Sequence, residues 1–238
     1  MEKFLMILIL CLVISLPAAV VAAPGYYEQL DLIAENADLW KQEMEYGLWG
    51  YTVTDLDQNG RLEIISASLQ GTGMYTIIQI FEVDPEGTAL SEVMQDRPEY
   101  ESAPDIMLDT APAFYDPETE VYYYIFTDYI RNGYAESYEN KRAVWLAEGI
   151  WEEIPLVNKN TVCTDIESCT DSYTDPEGNV ISEEVYENAE DLCFDGYEKG
   201  ILRLNWNMTD SESFAQMTMK ELRDALENVS YAEPAGNF

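Results

Sequence analysis

The sequence contains no histidine, and it has only 12 lysine and arginine residues against 46 aspartate and glutamate residues. The lack of histidine excludes Ser-His-Asp triads, Cys-His dyads and zinc sites with histidine ligands. The shortage of basic residues gives a formal net charge of −34. Such a charge repels nucleic acid phosphates and anionic membrane surfaces and concentrates cations near the protein. We therefore expect no nucleic-acid partner.

Cysteine is also scarce, with four residues in the full chain. Cys11 lies in the apolar N-terminal run, and three others follow much later in the sequence. Cys163 and Cys169 enclose a short polar loop, so an oxidising compartment can join them and leave Cys193 free or buried. The three later cysteines lack the C-x-x-C spacing of zinc sites. We predict a disulfide between Cys163 and Cys169.

The first residues have the pattern of an export signal. Lys3 precedes an apolar run from Phe4 to Ile14, and the helix-breaking Pro17 and several small residues follow. These small residues suit signal-peptidase cleavage after Ala22, or one residue later, so the predicted signal peptide is residues 1–22. The alternative is an uncleaved anchor, since about 20 apolar residues can span a bilayer. We predict a secreted or cell-envelope protein with no integral membrane span after cleavage.

Three segments of the remaining chain have helical patterns. Apolar residues at three-and-four spacing predict an amphipathic helix over residues 27–45. Ser182 is a suitable N-cap for a helix from Glu183 to Leu192. The capping box that opens at Thr218 predicts a helix from Met219 to Val229. The helices are therefore expected near the two ends of the domain.

The central part of the chain has strand patterns separated by turn residues. The predicted strands cover residues 51–54, 62–68, 74–83, 121–130, 141–146, 150–157 and 201–206. Turns are predicted at Asn59-Gly60, at Gly71-Thr72-Gly73 and at Glu148-Gly149. The predicted fold class is α+β, with an antiparallel β-sheet core, an N-terminal helix and two C-terminal helices. We expect a single acidic domain over residues 23–238.

One loop between two predicted strands has the spacing of a cation site. The segment from Asp55 to Glu63 places oxygen-bearing side chains at its first, third, fifth and ninth positions, with glycine at the sixth. Calcium takes six to eight oxygen ligands, and a tight loop with this spacing supplies several of them. The predicted metal ligands are the side chains of Asp55, Asp57, Asn59 and Glu63 and the carbonyl group of Arg61. Three carboxylates facing a doubly charged ion favour binding.

The loop resembles the calcium loops D-x-[DN]-x-[DN]-G-x-x-[DE] of FG-GAP and VCBS-type β-repeats and of secreted bacterial proteins in which such a loop joins two strands. It begins like an EF-hand, but its twelfth position is Ser66 and both flanks have strand patterns. The resemblance covers residues 51–66 and implies one calcium-stabilised hairpin with a structural ion. The alternative is a plain Asn-Gly turn with solvated carboxylates.

The sequence leaves three function classes open. The leading hypothesis is a secreted or envelope-associated binding or structural module, stabilised by calcium, with a protein or glycan ligand at the cell surface. Tyr122, Tyr123 and Tyr124 could form a sugar platform, although tyrosine is also an ordinary strand residue. The alternative is a carboxylate-dependent hydrolase of the glycosidase type. However, 46 acidic residues offer so many possible pairs that they do not single out an enzyme. An acidic inhibitor of a basic protein is the third possibility.

Overall fold

A computed structural model describes residues 25–44, 47–72, 75–95, 103–165 and 168–234. The predicted signal peptide, residues 1–22, and Cys11 within it lie outside these ranges. Among the described residues, no helix has both the length and the apolar character needed to cross a membrane.

The described ranges contain six helices and thirteen strands. The helices are α1 (Tyr26–Glu35), α2 (Ala37–Trp40), α3 (Glu183–Glu187), α4 (Ala189–Cys193), α5 (Ser211–Gln216) and α6 (Met219–Leu226). The strands are β1 (Trp49–Thr54), β2 (Glu63–Gln70), β3 (Tyr75–Val83), β4 (Leu90–Glu92), β5 (Met94–Gln95), β6 (Thr110–Asp116), β7 (Val121–Asn132), β8 (Glu136–Ala147), β9 (Ile150–Asp165), β10 (Ser168–Thr174), β11 (Glu198–Arg203), β12 (Asn207–Thr209) and β13 (Tyr231–Pro234).

The strands form two largely antiparallel sheets. The first sheet has the order β12-β1-β2-β3-β4, and the second has the order β10-β9-β8-β7-β6-β11-β13. The short strand β5 adds a parallel pair to β9. The β-rich character and the antiparallel pairing are confirmed. The predicted turns at Asn59-Gly60 and Glu148-Gly149 connect β1 to β2 and β8 to β9.

The two sheets and the helices pack in layers. One apolar core lies between the sheets and includes Ile65 and Ile80 from the first sheet and Phe126 from the second. The outer face of the first sheet packs against α1, α2 and α6, and Leu30 and Leu222 are buried there. A third core lies where α3 and α4 pack against the second sheet. The first sheet is therefore covered on both faces, and every residue of β1 is buried.

Two of the predicted helices are interrupted by asparagine. The helix predicted over residues 27–45 is divided into α1 and α2 at Asn36, whose side-chain amide donates to the Leu32 carbonyl at 2.8 Å. The predicted helix from Glu183 to Leu192 is divided into α3 and α4 in the same way. There the Asn188 amide donates to the Glu184 carbonyl at 2.7 Å. Asparagine side chains compete with the backbone for hydrogen bonds, which disfavours continuation of a helix.

The sequence predicted the N-caps of the helices more accurately than it predicted where the helices end. The Ser182 hydroxyl accepts from the Val185 amide, and the capping box at Thr218 is complete. The final helix stops at Leu226 and does not reach Val229. Helix α5 was not predicted, because its six residues are too short for a periodic pattern. The expected arrangement of one N-terminal and two C-terminal helices is therefore wrong in detail.

The predicted disulfide is confirmed. Cys163 in β9 and Cys169 in β10 are paired across the two strands, with their Cα atoms 4.0 Å apart and their sulfur atoms bonded. Cys193, at the end of α4, is free and exposed. The bridge therefore closes the hairpin at one edge of the second sheet.

We expect iodoacetamide to label Cys193 in the oxidised native protein, but Cys163 and Cys169 only after reduction. The reason is that a bridged sulfur cannot form the thiolate that reacts. Peptide mapping with and without reductant measures this. The variant Cys163→Ser is the control, because it should leave Cys169 open to labelling without reductant. Labelling of all three residues in the unreduced protein would contradict the prediction.

Candidate metal centre

The loop between β1 and β2 brings three of the five predicted ligand residues together. It leaves β1 at Thr54 and enters β2 at Glu63. Two of its residues have left-handed backbone conformations, with φ of 55° at Gln58 and 84° at Gly60. Glycine adopts this conformation without steric cost, so the Asn-Gly pair allows the chain to turn tightly.

Three carboxylates converge inside the turn. One carboxylate oxygen from each of Asp55, Asp57 and Glu63 lies within 4.8 Å of the others. Glu63 is fully buried, whereas the two aspartates are partly buried. Separations of this size fit oxygen ligands around one cation, since Ca–O distances are about 2.3–2.6 Å. The cluster is thus a possible cation site at the start of β2.

Two oxygens of this cluster are buried without a hydrogen-bond donor. Glu63 accepts from the Leu56 amide through Oε2 at 2.8 Å, but its Oε1 has no partner. Asp55 accepts from the Gly60 amide through Oδ2 at 3.1 Å, and its Oδ1 is buried without a partner. Buried carboxylate oxygens without a donor are energetically costly unless a cation or another donor satisfies them.

The surroundings of the cluster disfavour three negative charges. Burial is the largest cause that raises the pKa of Asp55 to about 6, and the Asp57 and Glu82 carboxylates add to it. Burial also raises the pKa of Glu63 well above its ordinary value, with further contributions from the two aspartates. The pKa of Asp57 is raised for the same main reason. A bound divalent cation would reverse this preference, because it stabilises the ionised form.

The other two predicted ligand residues take part in a hydrogen-bond network. The side-chain oxygen of Asn59 accepts from the Arg61 amide at 2.7 Å. The side-chain nitrogen of Asn59 donates to Asp57 Oδ2 at 2.8 Å and to Glu82 Oε1 at 2.8 Å. The Arg61 guanidinium forms an ion pair with Glu82 at 2.7 Å. The roles of the Asn59 oxygen and the Arg61 carbonyl as ligands stay predictions.

Glu82 was missed because it lies outside the loop. It belongs to β3, is 4% exposed and lies directly opposite Glu63 in the antiparallel β2–β3 pair. Burial raises its pKa. The signal that would have found it is register. Counting outward from the Gln70–Tyr75 pair beside the turn brings Glu63 opposite Glu82 and places two carboxylates on one face, whereas the turn predicted at Gly71-Thr72-Gly73 would pair Glu63 with Phe81.

Two distant elements and the core between the sheets hold the loop in place. From α1, the Gln29 side chain donates to the Gly60 carbonyl at 2.9 Å and accepts from the Leu62 amide at 2.7 Å. From β7 in the second sheet, the Tyr124 hydroxyl donates to the Leu56 carbonyl at 2.6 Å. The Leu56 side chain is buried in the core between the sheets. The loop is therefore joined to α1 and to both sheets.

The three consecutive tyrosines of β7 do not form one platform. Tyr124 is buried, and Tyr122 lies on the same face of the strand and packs against Tyr115 with ring centres 4.5 Å apart. Tyr123 lies on the opposite face and packs against Trp145. Alternation along the strand separates the rings, so these three tyrosines share no single face, which agrees with their interpretation as ordinary strand residues.

Four cavities elsewhere in the described part of the chain have volumes of about 560, 230, 680 and 250 Å³. The first lies beside Trp49 and Phe214, and the second lies beside Tyr115 and Tyr122. None of the four is lined by a carboxylate whose pKa the fold raises. Among the described residues, the carboxylates with a raised pKa include Asp55, Asp57, Glu63, Glu82 and Asp105.

Comparisons with known proteins give no match. No family model matches the chain, and neither a curated protein nor a solved structure does. The similarity to FG-GAP and VCBS-type loops therefore depends on residues 51–66 alone.

Proposed function

We propose that the loop from Asp55 to Glu63 binds one calcium ion and that the chain is an exported binding or structural protein stabilised by this ion. The observation that carries the proposal is the environment of Glu63. Its carboxylate is fully buried, one of its oxygens has no donor, and Asp55, another residue of the same cluster, also has a buried oxygen without a donor. A cation is the ligand that satisfies both oxygens at once.

The donor set favours calcium among the common cations. All the proposed ligand atoms are oxygens, which suit hard cations, and no histidine is present in the sequence. Magnesium usually keeps several waters and is held by one or two carboxylates. Three carboxylates in one loop, with the Asn59 amide and the Arg61 carbonyl nearby in sequence, instead fit the larger and more flexible calcium shell.

The proposed role of the ion is structural. Neutralising the cluster would remove repulsion at the point where β1 turns into β2. The same loop is hydrogen-bonded to Gln29 in α1 and to Tyr124 in β7. An ion bound there would therefore stabilise the packing of α1 and of both sheets around the loop.

Export and a surface ligand form the rest of the proposal. The apolar N-terminal run supports a signal peptide, and the Cys163–Cys169 bridge is compatible with an oxidising compartment. The net charge of −34 disfavours nucleic acid and leaves a protein or glycan at the cell surface as the proposed partner.

Calorimetric titration of the chelator-treated protein with calcium tests the site. At pH 7.5 we expect one site per chain with a Kd of about 0.1–1 mM, the range of extracellular calcium modules. At pH 5.5 binding should be at least about fourfold weaker. Protons compete for the ligands, and a group with a pKa of about 6, as for Asp55, is largely ionised at the higher pH only.

The variant Asp55→Asn is the control for this titration. It removes one ligand charge and should abolish measurable binding at both pH values. The proposal is wrong if the unmodified protein gives no heat of binding at pH 7.5. A Kd that is identical at the two pH values would contradict the involvement of Asp55.

A further inference from the structure

Glu82 is the one member of the carboxylate network that comes from outside the loop. Its side chain is nearly buried in β3 and lies opposite Glu63, the buried carboxylate of the cluster. Like charges directly opposite each other in a sheet are destabilising. The presence of Glu82 at this position therefore requires a compensating role.

The compensating contacts are made through Asn59 and Arg61. Glu82 Oε1 accepts from the Asn59 side-chain nitrogen at 2.8 Å and is 2.7 Å from Arg61 Nη2. The Arg61 guanidinium offsets part of the charge of Glu82, although the Glu82 carboxylate still contributes to the raised pKa of Asp55 and of Glu63. Glu82 also accepts a charge-assisted hydrogen bond from the side-chain amide of Asn59.

This bond fixes which way the Asn59 amide faces. Its nitrogen meets two carboxylates, Glu82 and Asp57, while its oxygen accepts from the Arg61 amide. The reverse orientation would place the amide oxygen against both carboxylates and the NH₂ group against an N–H. Glu82 thus holds the NH₂ group and leaves the amide oxygen, which has a second lone pair, as the part of the side chain available to a cation.

We infer that Glu82 is a positioning residue for cation binding. Because of Glu82, asparagine at position 59 gives tighter cation binding than aspartate would. This inference rests on the proposed calcium site. An aspartate at position 59 has no NH₂ group to give to Glu82 and would face two carboxylates. Outer partners of metal ligands typically change affinity by about 10–100-fold when they are removed.

The test is a cycle of Asn59→Asp, Glu82→Gln and the double variant, measured by calorimetric titration of the full chain with calcium at pH 7.5. Asn59→Asp alone should weaken calcium binding by about tenfold, although it adds a negative charge. In the Glu82→Gln background the same substitution should strengthen binding, because the glutamine amide can donate to the new carboxylate. The sign of the Asn59→Asp effect is therefore expected to reverse.

Glu92→Gln is the matched control background. Glu92 is exposed on β4, the strand that follows β3 in the same sheet, so its substitution removes a charge without touching Asn59. Asn59→Asp should weaken binding in this background as it does in the unmodified chain. If Glu82→Gln does not fold, Asn59→Asp is compared with Asn59→Ser. The serine variant should bind calcium more tightly despite its neutral side chain, and the opposite order would overturn the inference.

Two failures are distinguishable. If the unmodified protein binds no calcium, the proposed site is wrong and the role of Glu82 falls with it. The second failure is that the unmodified protein binds calcium, but Asn59→Asp changes the Kd by the same factor in the unmodified and the Glu82→Gln backgrounds. In that case only the role of Glu82 is overturned. A merely structural Glu82 would give this second result, since its loss would lower stability without coupling to position 59.

Discussion

Calcium at about 10 mM is expected to raise the Tm of the chelator-treated protein by about 5–10 °C. At a Kd of about 0.1 mM this concentration is a hundredfold excess, which adds about 2.7 kcal/mol to the free energy of unfolding. A domain of this size gains about 2–4 °C per kcal/mol. The variant Asp57→Ala should abolish the shift, because it removes one of the three converging carboxylates. Circular dichroism melting curves in chelator and in calcium measure the difference.

Asp84→Ala is the matched control for this experiment. Asp84 lies in an exposed turn, where its carboxylate accepts from the Thr88 amide at 2.6 Å and does not belong to the cluster. Its loss should lower the Tm under both conditions and leave the calcium shift intact. An equal shift in Asp57→Ala, or no shift in the unmodified protein, would mean that the loop is only a turn.

Glu63→Gln is expected to raise the stability of the protein without calcium and to remove the stabilisation that calcium gives. In chelator at pH 7.5 the variant should be more stable than the unmodified protein by about 2 kcal/mol, or about 4–8 °C in Tm. The substitution removes a buried carboxylate that has one oxygen without a donor and faces three other acids. In calcium the variant should show no further stabilisation, because a ligand charge is lost. The same melting curves decide both points.

The pH dependence of the stability of the calcium-free protein checks whether the buried charge of Glu63 is the cause of this effect. The folded-state pKa of Glu63 is raised, so the folded state binds the proton more tightly than the unfolded chain does. Stability in chelator should therefore increase as the pH falls from 7.5 to 5.5, and the advantage of Glu63→Gln should shrink. Glu92→Gln, an exposed change in the same sheet, should not reproduce the stabilisation. A variant that is less stable than the unmodified protein in chelator would show that the charge of Glu63 is not costly.

The parts of the site that follow from local sequence were predictable. The ligand pattern from Asp55 to Glu63 is continuous, and a turn with glycine at its sixth position brings near neighbours together. Glu82 and Gln29 reach the loop only through strand register and helix packing. The local sequence around each of these two residues gives no pattern that predicts its contact with the loop. The complete burial of Glu63 was equally hidden, since it depends on elements far away in the chain.

The fold was predictable to a similar degree. Strands rich in apolar and β-branched residues and bounded by clear turns, such as β2 and β3, were found from sequence. Strand β6 was missed because Pro112 lies within it, and β10 was missed because its residues are almost all polar. The interruptions at Asn36 and Asn188 depend on side-chain hydrogen bonds that compete with a continuous helix, and periodicity does not detect these.

The bond between Tyr124 and the Leu56 carbonyl has a consequence for folding kinetics. It joins residues 68 positions apart in the chain, and the Gln29 bond to Gly60 spans 31 positions. Contacts of such long separation form only after the intervening chain has closed a large loop. The fully tethered cation loop is therefore expected to assemble late, after the folding transition state. An ion that binds this late feature slows unfolding more than it accelerates folding, so its effect would be to prolong the lifetime of the native protein.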